Sequence, residues 1–176
     1  MRLFVALRPP PEVLEHADAA VAQVRAREPG PRWIPAERWH LTLAFYGEIA
    51  DDSVDGVAAM VARRLPRLRD RAPVDLAFAG SGSFARRALW LGVTGDLPRL
   101  RSLATAVNTD RRPYRPHLTV ARLRAGGDPG AAVAMLAAYD GPQWRATTVH
   151  LVQSHLGPKP RYDDVASWPL GTETPD

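Results

Sequence analysis

Cysteine is absent from this chain. That excludes a disulfide framework, a thiolate metal site and a cysteine nucleophile. Lysine is almost absent too: of 23 basic residues only Lys159 is a lysine, and the rest are arginines. No apolar run approaches the ~20 residues of a membrane span. The apolar start Leu3-Phe4-Val5-Ala6-Leu7 meets Arg8-Pro9-Pro10-Pro11 too early for a signal-peptide core and reads as a first strand. No G-x-S-x-G elbow occurs. Ser81-Gly82-Ser83 is like a fragment of one but lacks the strand-elbow-helix setting, which argues against serine hydrolase chemistry. There is no carboxylate cluster and no histidine spacing that would supply three metal ligands, so neither metal nor cofactor is expected.

What is present is ordinary for a cytoplasmic globular protein: 176 residues, 45% hydrophobic and 24% charged. That length suits one domain, residues 1–176, in one body of two lobes. The net charge is +4 and its carrier is arginine, whose planar fork matches phosphate. A biased genome would also enrich arginine, so the charge is only a pointer toward a phosphate-bearing partner.

Four helices are expected from apolar stripes of 3.6-residue period. They begin near Pro11, after Asp51-Asp52-Ser53, near Leu97 and at Asp128-Pro129, and the last is expected to reach Tyr139. Alternating runs between them read as strands: residues 74–78, the near-continuous Ala88–Val93, residues 143–156 and residues 165–170. Gly80-Ser-Gly-Ser-Phe84 reads as a loop carrying an aromatic, and Gly157-Pro-Lys-Pro160 as a rigid loop.

Two copies of one pattern organise the chain. His40-Leu41-Thr42 lies in Trp39–Phe45, and His117-Leu118-Thr119 in Pro116–Arg122. With five histidines and nine threonines in the chain, about a quarter of one such pair is expected by chance. Both runs read as strands, so each His shares a face with the Thr two places on, while Leu41, Leu43, Phe45, Leu118 and Val120 fall on the other. A helix begins about 11 residues after each His and a strand follows each helix. The layout reads as two similar halves related by a pseudo-twofold, and the class as α+β, with two small antiparallel sheets and outer helices. His150 and His155 read as structural and His16 as a surface residue.

Two imidazoles facing one cleft make an acid/base pair near neutral pH. A cyclic phosphodiester suits such a pair: one His deprotonates water, the other protonates the leaving oxygen, and the threonine hydroxyls hold non-bridging oxygens.

The double H-x-T resembles the signature of the 2H phosphoesterases. The fuller pattern is similar to their RNA 2′,3′-cyclic phosphodiesterase branch, also called LigT-like or 2′-5′ RNA ligases. The likeness runs through Arg2–Ala6, Trp33, Trp39–Phe45 with Gly47, Gly82–Phe84, Leu89–Gly92, Tyr114–Arg122, Leu151–Ser154 with Leu156, Tyr162 and Trp168–Leu170. It implies a bilobal fold, metal-independent opening of 2′,3′-cyclic phosphate RNA ends to 2′-phosphomonoesters, and His40 and His117 as the acid/base pair. It further implies Thr42 and Thr119 at the phosphate, Arg122 as a phosphate or nucleotide contact, and Phe45 and Phe84 as base-stacking candidates. Strict alternation turns Arg122 away from His117 unless a bulge intervenes, and it sets Phe45 on the core side. Tyr46 stands where the family more often has Leu, and the loop from Gly157 to Arg161 is richer in proline. The implied partner is an RNA end bearing a cyclic phosphate, met by a monomer away from any membrane. Two other readings are a related enzyme acting on another cyclic phosphate or joining 2′-5′ linkages, and an RNA-binding module without turnover.

Overall fold

The computed structural model describes residues 2–65, 72–110, 112–155 and 161–171. Among them the chain forms nine strands and four α-helices. The first half holds β1 (Arg2–Leu7), α1 (Pro11–Arg27), β2 (Arg32–Trp33), β3 (Leu41–Glu48), α2 (Val54–Arg64) and β4 (Val74–Phe84). The second holds β5 (Ala88–Gly95), α3 (Leu97–Val107), β6 (His117–Arg122), α4 (Gly130–Leu136), β7 (Trp144–Ala146), β8 (Thr148–His155) and β9 (Arg161–Pro169). Among these residues no helix is long and apolar enough to cross a membrane. Pro66, where the sequence predicts that the second helix ends, and the loop Gly157–Pro160 lie outside the described residues.

The strands pair in the order β7-β4-β5-β6-β3-β1-β8-β9, with β2 on β6 and every pairing antiparallel. The two expected sheets are therefore two four-stranded lobes, and one residue pair, Leu41 with Leu118, joins them. The chain crosses between them. β4 follows α2 in sequence but joins the lobe of β6, and β8 follows α4 but joins the lobe of β3. Each lobe thus takes two strands from the other half of the chain, β2 and β4 in one and β8 and β9 in the other.

One face of the sheet is the core. Leu3, Val5, Leu7, Leu41 and Leu43 of one lobe and Leu89, Leu91, Leu118 and Val120 of the other are buried there. Against them pack Val13, Ala17, Val21 and Val24 of α1 and Leu100, Leu103, Ala104 and Val107 of α3. Burying one such side chain is worth about 1.5–3 kcal/mol, which anchors the two central strands and leaves their opposite face free.

Three local expectations are corrected. The stretch Gly80–Phe84 is strand, the distal part of β4, not loop. Its Gly82 is there because the Trp90 ring lies across it: a Cβ at that position would stand 2.3 Å from the indole. Residues 143–156 form two strands rather than one; β7 ends one lobe and β8 pairs β1 in the other. Helix α4 ends at Leu136, short of Tyr139, whose hydroxyl instead lies 3.0 Å from His16 Nδ1.

Candidate active site

The pair Leu41–Leu118 fixes the site. Extending its antiparallel register by one residue each way sets His40 across from Thr119 and Thr42 across from His117. Both leucines point into the core, so these four side chains share the opposite face. The two histidines are then diagonal neighbours, about 7–8 Å apart at their backbones. All four line one cavity of about 460 Å³. Beyond Leu41 the strands part, and the Thr42 carbonyl is satisfied by the Tyr114 hydroxyl, which donates to it at 2.9 Å. At the other end β2 covers β6, pairing Arg32 with Arg122 and Trp33 with Ala121.

Both imidazoles are held in the same way. His40 Nδ1 donates to the Arg38 carbonyl at 2.9 Å, and His117 Nδ1 donates to the Arg115 carbonyl at 2.7 Å. A carbonyl only accepts, so each neutral ring carries its proton on Nδ1 and leaves Nε2 as a free base. Phe4 stacks on His40 at 4.4 Å and 24°, and Tyr162 packs edge-on against both rings, 5.3 Å from each. Phe84 meets His117 edge-on at 4.7 Å, with Trp90 beside it. Burial pushes His40 down to about 4, helped by the positive Arg8, the His117 ring and Arg38 and opposed by the Arg38 carbonyl. His117 is lowered as well, chiefly by burial and further by Arg122, against the Arg115 carbonyl.

Strict alternation fails in both central strands, in the same place. In β3 the partners of Ala6 and Val5 are Thr42 and Ala44, so Leu43 is an extra residue. In β6 the partners of Trp90 and Leu89 are Thr119 and Ala121, so Val120 is extra. Each bulge reverses the facing of the residues after it. Phe45 is consequently 58% exposed and Arg122 is exposed, and both line the cavity of the histidines. Phe45 is therefore not a core residue, and Arg122 does not turn away. The two occupy equivalent places, five residues after their histidines. Phe84 is half-buried against His117 and Trp90 and lines a neighbouring cavity of about 430 Å³.

Among the cavity residues that sequence reasoning missed are Arg2, Phe4, Arg32, Arg38 and Tyr162. Arg2 had a signal, because it alternates with Phe4 on the groove side of β1. Arg32, Arg38 and Tyr162 come from a two-residue strand, a short 3-10 turn at Ala36–Arg38 and a strand far off in sequence, where no local period points to the groove. Tyr46 donates to the Val107 carbonyl at 2.7 Å, a link from β3 to α3 that leucine could not make. His150 and His155 pair with Asp164 and Asp163 of β9. Among the described residues no three of His, Cys, Asp and Glu gather as metal ligands.

An antiparallel bilobal sheet with paired H-x-T strands over one groove defines a phosphoesterase class of fold and site. The sequence profile of the 2′-5′ RNA ligase superfamily matches residues 9–158, and the chain belongs to that superfamily. It is 30% identical over 155 residues to a protein of Geobacillus stearothermophilus named RNA 2′,3′-cyclic phosphodiesterase, matching 78% of this chain and 47% of that one. The chain thus spans about half the length of that relative. A protein of the same name from Thermus thermophilus is 30% identical over 178 residues, covering 90% of this chain and 84% of the relative. Among solved structures, TT0787 of Thermus thermophilus superposes with a TM-score of 0.74 at 26% identity over 99% of this chain and 100% of that one. Escherichia coli LigT complexed with ATP superposes with a TM-score of 0.73 at 25% identity, covering 97% and 98%.

Proposed function

We propose that this protein opens 2′,3′-cyclic phosphate ends of RNA to 2′-phosphomonoesters, using His40 and His117 as a metal-independent acid/base pair. The observation that carries the reading is the pair of free Nε2 atoms, each ring tethered through Nδ1 to the carbonyl two residues earlier and each set across from the other's threonine. In-line displacement at a cyclic phosphate needs a base on the side of the attacking water and an acid on the side of the departing oxygen, and two imidazoles placed diagonally in one groove can supply both. Thr42 and Thr119 donate to the non-bridging oxygens, and the Arg122 guanidinium, from the same wall, offsets the charge that builds there. The free groove keeps both rings short of protons through burial and nearby arginines. An entering phosphate reverses that electrostatic balance and lets one ring hold the proton it will donate. Phe45, exposed at the rim, offers its face to a base. The names of the two relatives, both RNA 2′,3′-cyclic phosphodiesterases, support the substrate class.

The test is hydrolysis of an oligonucleotide ending in a 2′,3′-cyclic phosphate, in the presence of EDTA. His40→Ala and His117→Ala should each lose about 10²–10⁴ in kcat, and the product should carry its phosphate on O2′. Turnover by either variant at the rate of the unmodified protein overturns the mechanism.

A further inference from the structure

A second cavity, of about 400 Å³, opens on the far side of His40 and shares Phe4, Arg38, His40 and Tyr162 with the central groove. Its remaining wall brings in Arg8, from the end of β1, and Arg161, from the start of β9, with Glu37 the one carboxylate. Three guanidinium groups from three distant parts of the chain therefore meet beside the acid/base pair. Two of them are propped from behind. Arg8 bonds Asp164 at 2.6 Å and Arg161 bonds Asp163 at 2.9 Å. Arg38 is different: its guanidinium lies 5.3 Å from the centre of the Tyr162 ring, and its Nε is buried without a hydrogen-bond partner. A buried guanidinium N–H left unpaired is costly, and a phosphate oxygen is the acceptor it suits. The cavity beyond His117 has two arginines instead of three, Arg112 and Arg115, and its walls include Phe45 and Phe84.

The geometry points to a subsite on the His40 flank that binds the phosphodiester one nucleotide 5′ of the cyclic end. The proposal rests on the cyclic phosphodiesterase reading and deepens it: the substrate is an oligonucleotide, and a mononucleoside cyclic phosphate leaves this subsite empty. A phosphate there pairs with Arg8, Arg38 and Arg161 while the cyclic phosphate occupies the central groove, so the two sites hold consecutive phosphates of one strand.

The experiment compares kcat/KM for a mononucleoside 2′,3′-cyclic phosphate, for a dinucleotide with the same cyclic end, and for that dinucleotide with a neutral methylphosphonate in place of its internal phosphodiester. One to two charge-assisted bonds correspond to a preference for the charged dinucleotide of about 10–100-fold. The methylphosphonate should remove most of it. Arg8→Met and Arg161→Met should each reduce the dinucleotide value several-fold more than the mononucleotide value, and the preference should shrink as salt is raised. Equal rates on charged and neutral dinucleotides, or equal losses on all substrates in both variants, overturn the subsite while leaving the cyclic phosphodiesterase reading intact. No turnover of any of the three overturns both. Because the methylphosphonate comparison uses the unmodified protein, it holds even if a variant fails to fold.

Discussion

His40 ties the groove to stability, and the link can be measured. The ring packs against Phe4 and Tyr162, and burial with nearby positive charge holds its pKa at about 4 against 6.5 in an unfolded chain. The unfolded chain therefore takes up a proton on this histidine before the folded one does. The stabilisation is complete above pH 6.5 and is lost as pH falls toward 4. Integrating between pH 7 and about pH 4.5 gives a loss of roughly 2 kcal/mol for this group alone. His40→Asn keeps an N–H donor for the Arg38 carbonyl but cannot titrate. Urea unfolding of both proteins at the two pH values isolates the term, since every other titrating group is common to them. The unmodified protein should lose roughly 2 kcal/mol more than the variant on acidification, about 1 M in urea midpoint for a slope of 1–3 kcal/mol/M. The His40 ring signals should titrate near pH 4 by NMR. Parallel loss in the two proteins, or a midpoint near 6.5, would refute the account of a desolvated, positively crowded ring.

Two further outcomes follow from local geometry. Phe45→Ala should leave thermal stability within about 0.5 kcal/mol, because an exposed side chain away from special features contributes little. It should nevertheless weaken kcat/KM on oligonucleotide ends by the 1–3 kcal/mol typical of a stacked base, about 5–150-fold; an unchanged kcat/KM would place the base elsewhere. The hairpin between β4 and β5 turns through Ala85 and Arg86, both at positive φ (46° and 52°). Non-glycine residues pay for that conformation, and the tight turn at the start of this three-residue loop, closed by the Arg87 N–H donating to the Phe84 carbonyl, favours Asn-Gly at its two left-handed positions. The double variant A85N/R86G should therefore gain about 1–2 kcal/mol, less whatever the exposed Arg86–Asp128 pair contributes. Calorimetry showing a lower Tm would contradict the strain.

The fold was legible in sequence where one period ran unbroken. The stripe Val13, Ala17, Val21, Val24 forms the inner face of α1 over the expected span, because nothing in 11–27 competes with a helix. Legibility failed where glycine lay inside a strand instead of ending it. Gly80 and Gly82 read as loop, yet they lie within β4, and Gly82 makes room for Trp90, a neighbour on another strand that no local pattern reveals. The single reading of residues 143–156 failed for a similar reason, since the switch from one lobe to the other falls at Thr147 without glycine or proline to mark it.

The site shows the same boundary between local and non-local information. A period of two is enough to put His40 with Thr42 and His117 with Thr119, but it sends Phe45 and Arg122 to the wrong face. The reversal comes from Leu43 and Val120, apolar residues that look like ordinary core positions and act as the extra residue of a bulge. Because both bulges fall after the H-x-T, each strand presents three groove positions instead of two: an imidazole, a hydroxyl, and a third residue five places after the histidine. The pseudo-twofold makes those third positions equivalent, and the chain fills one with an aromatic ring and the other with a guanidinium. A symmetric pair of acid/base strands thereby acquires two unlike ends, which a symmetric phosphate does not require but a nucleotide, with a base to one side and charge to the other, does.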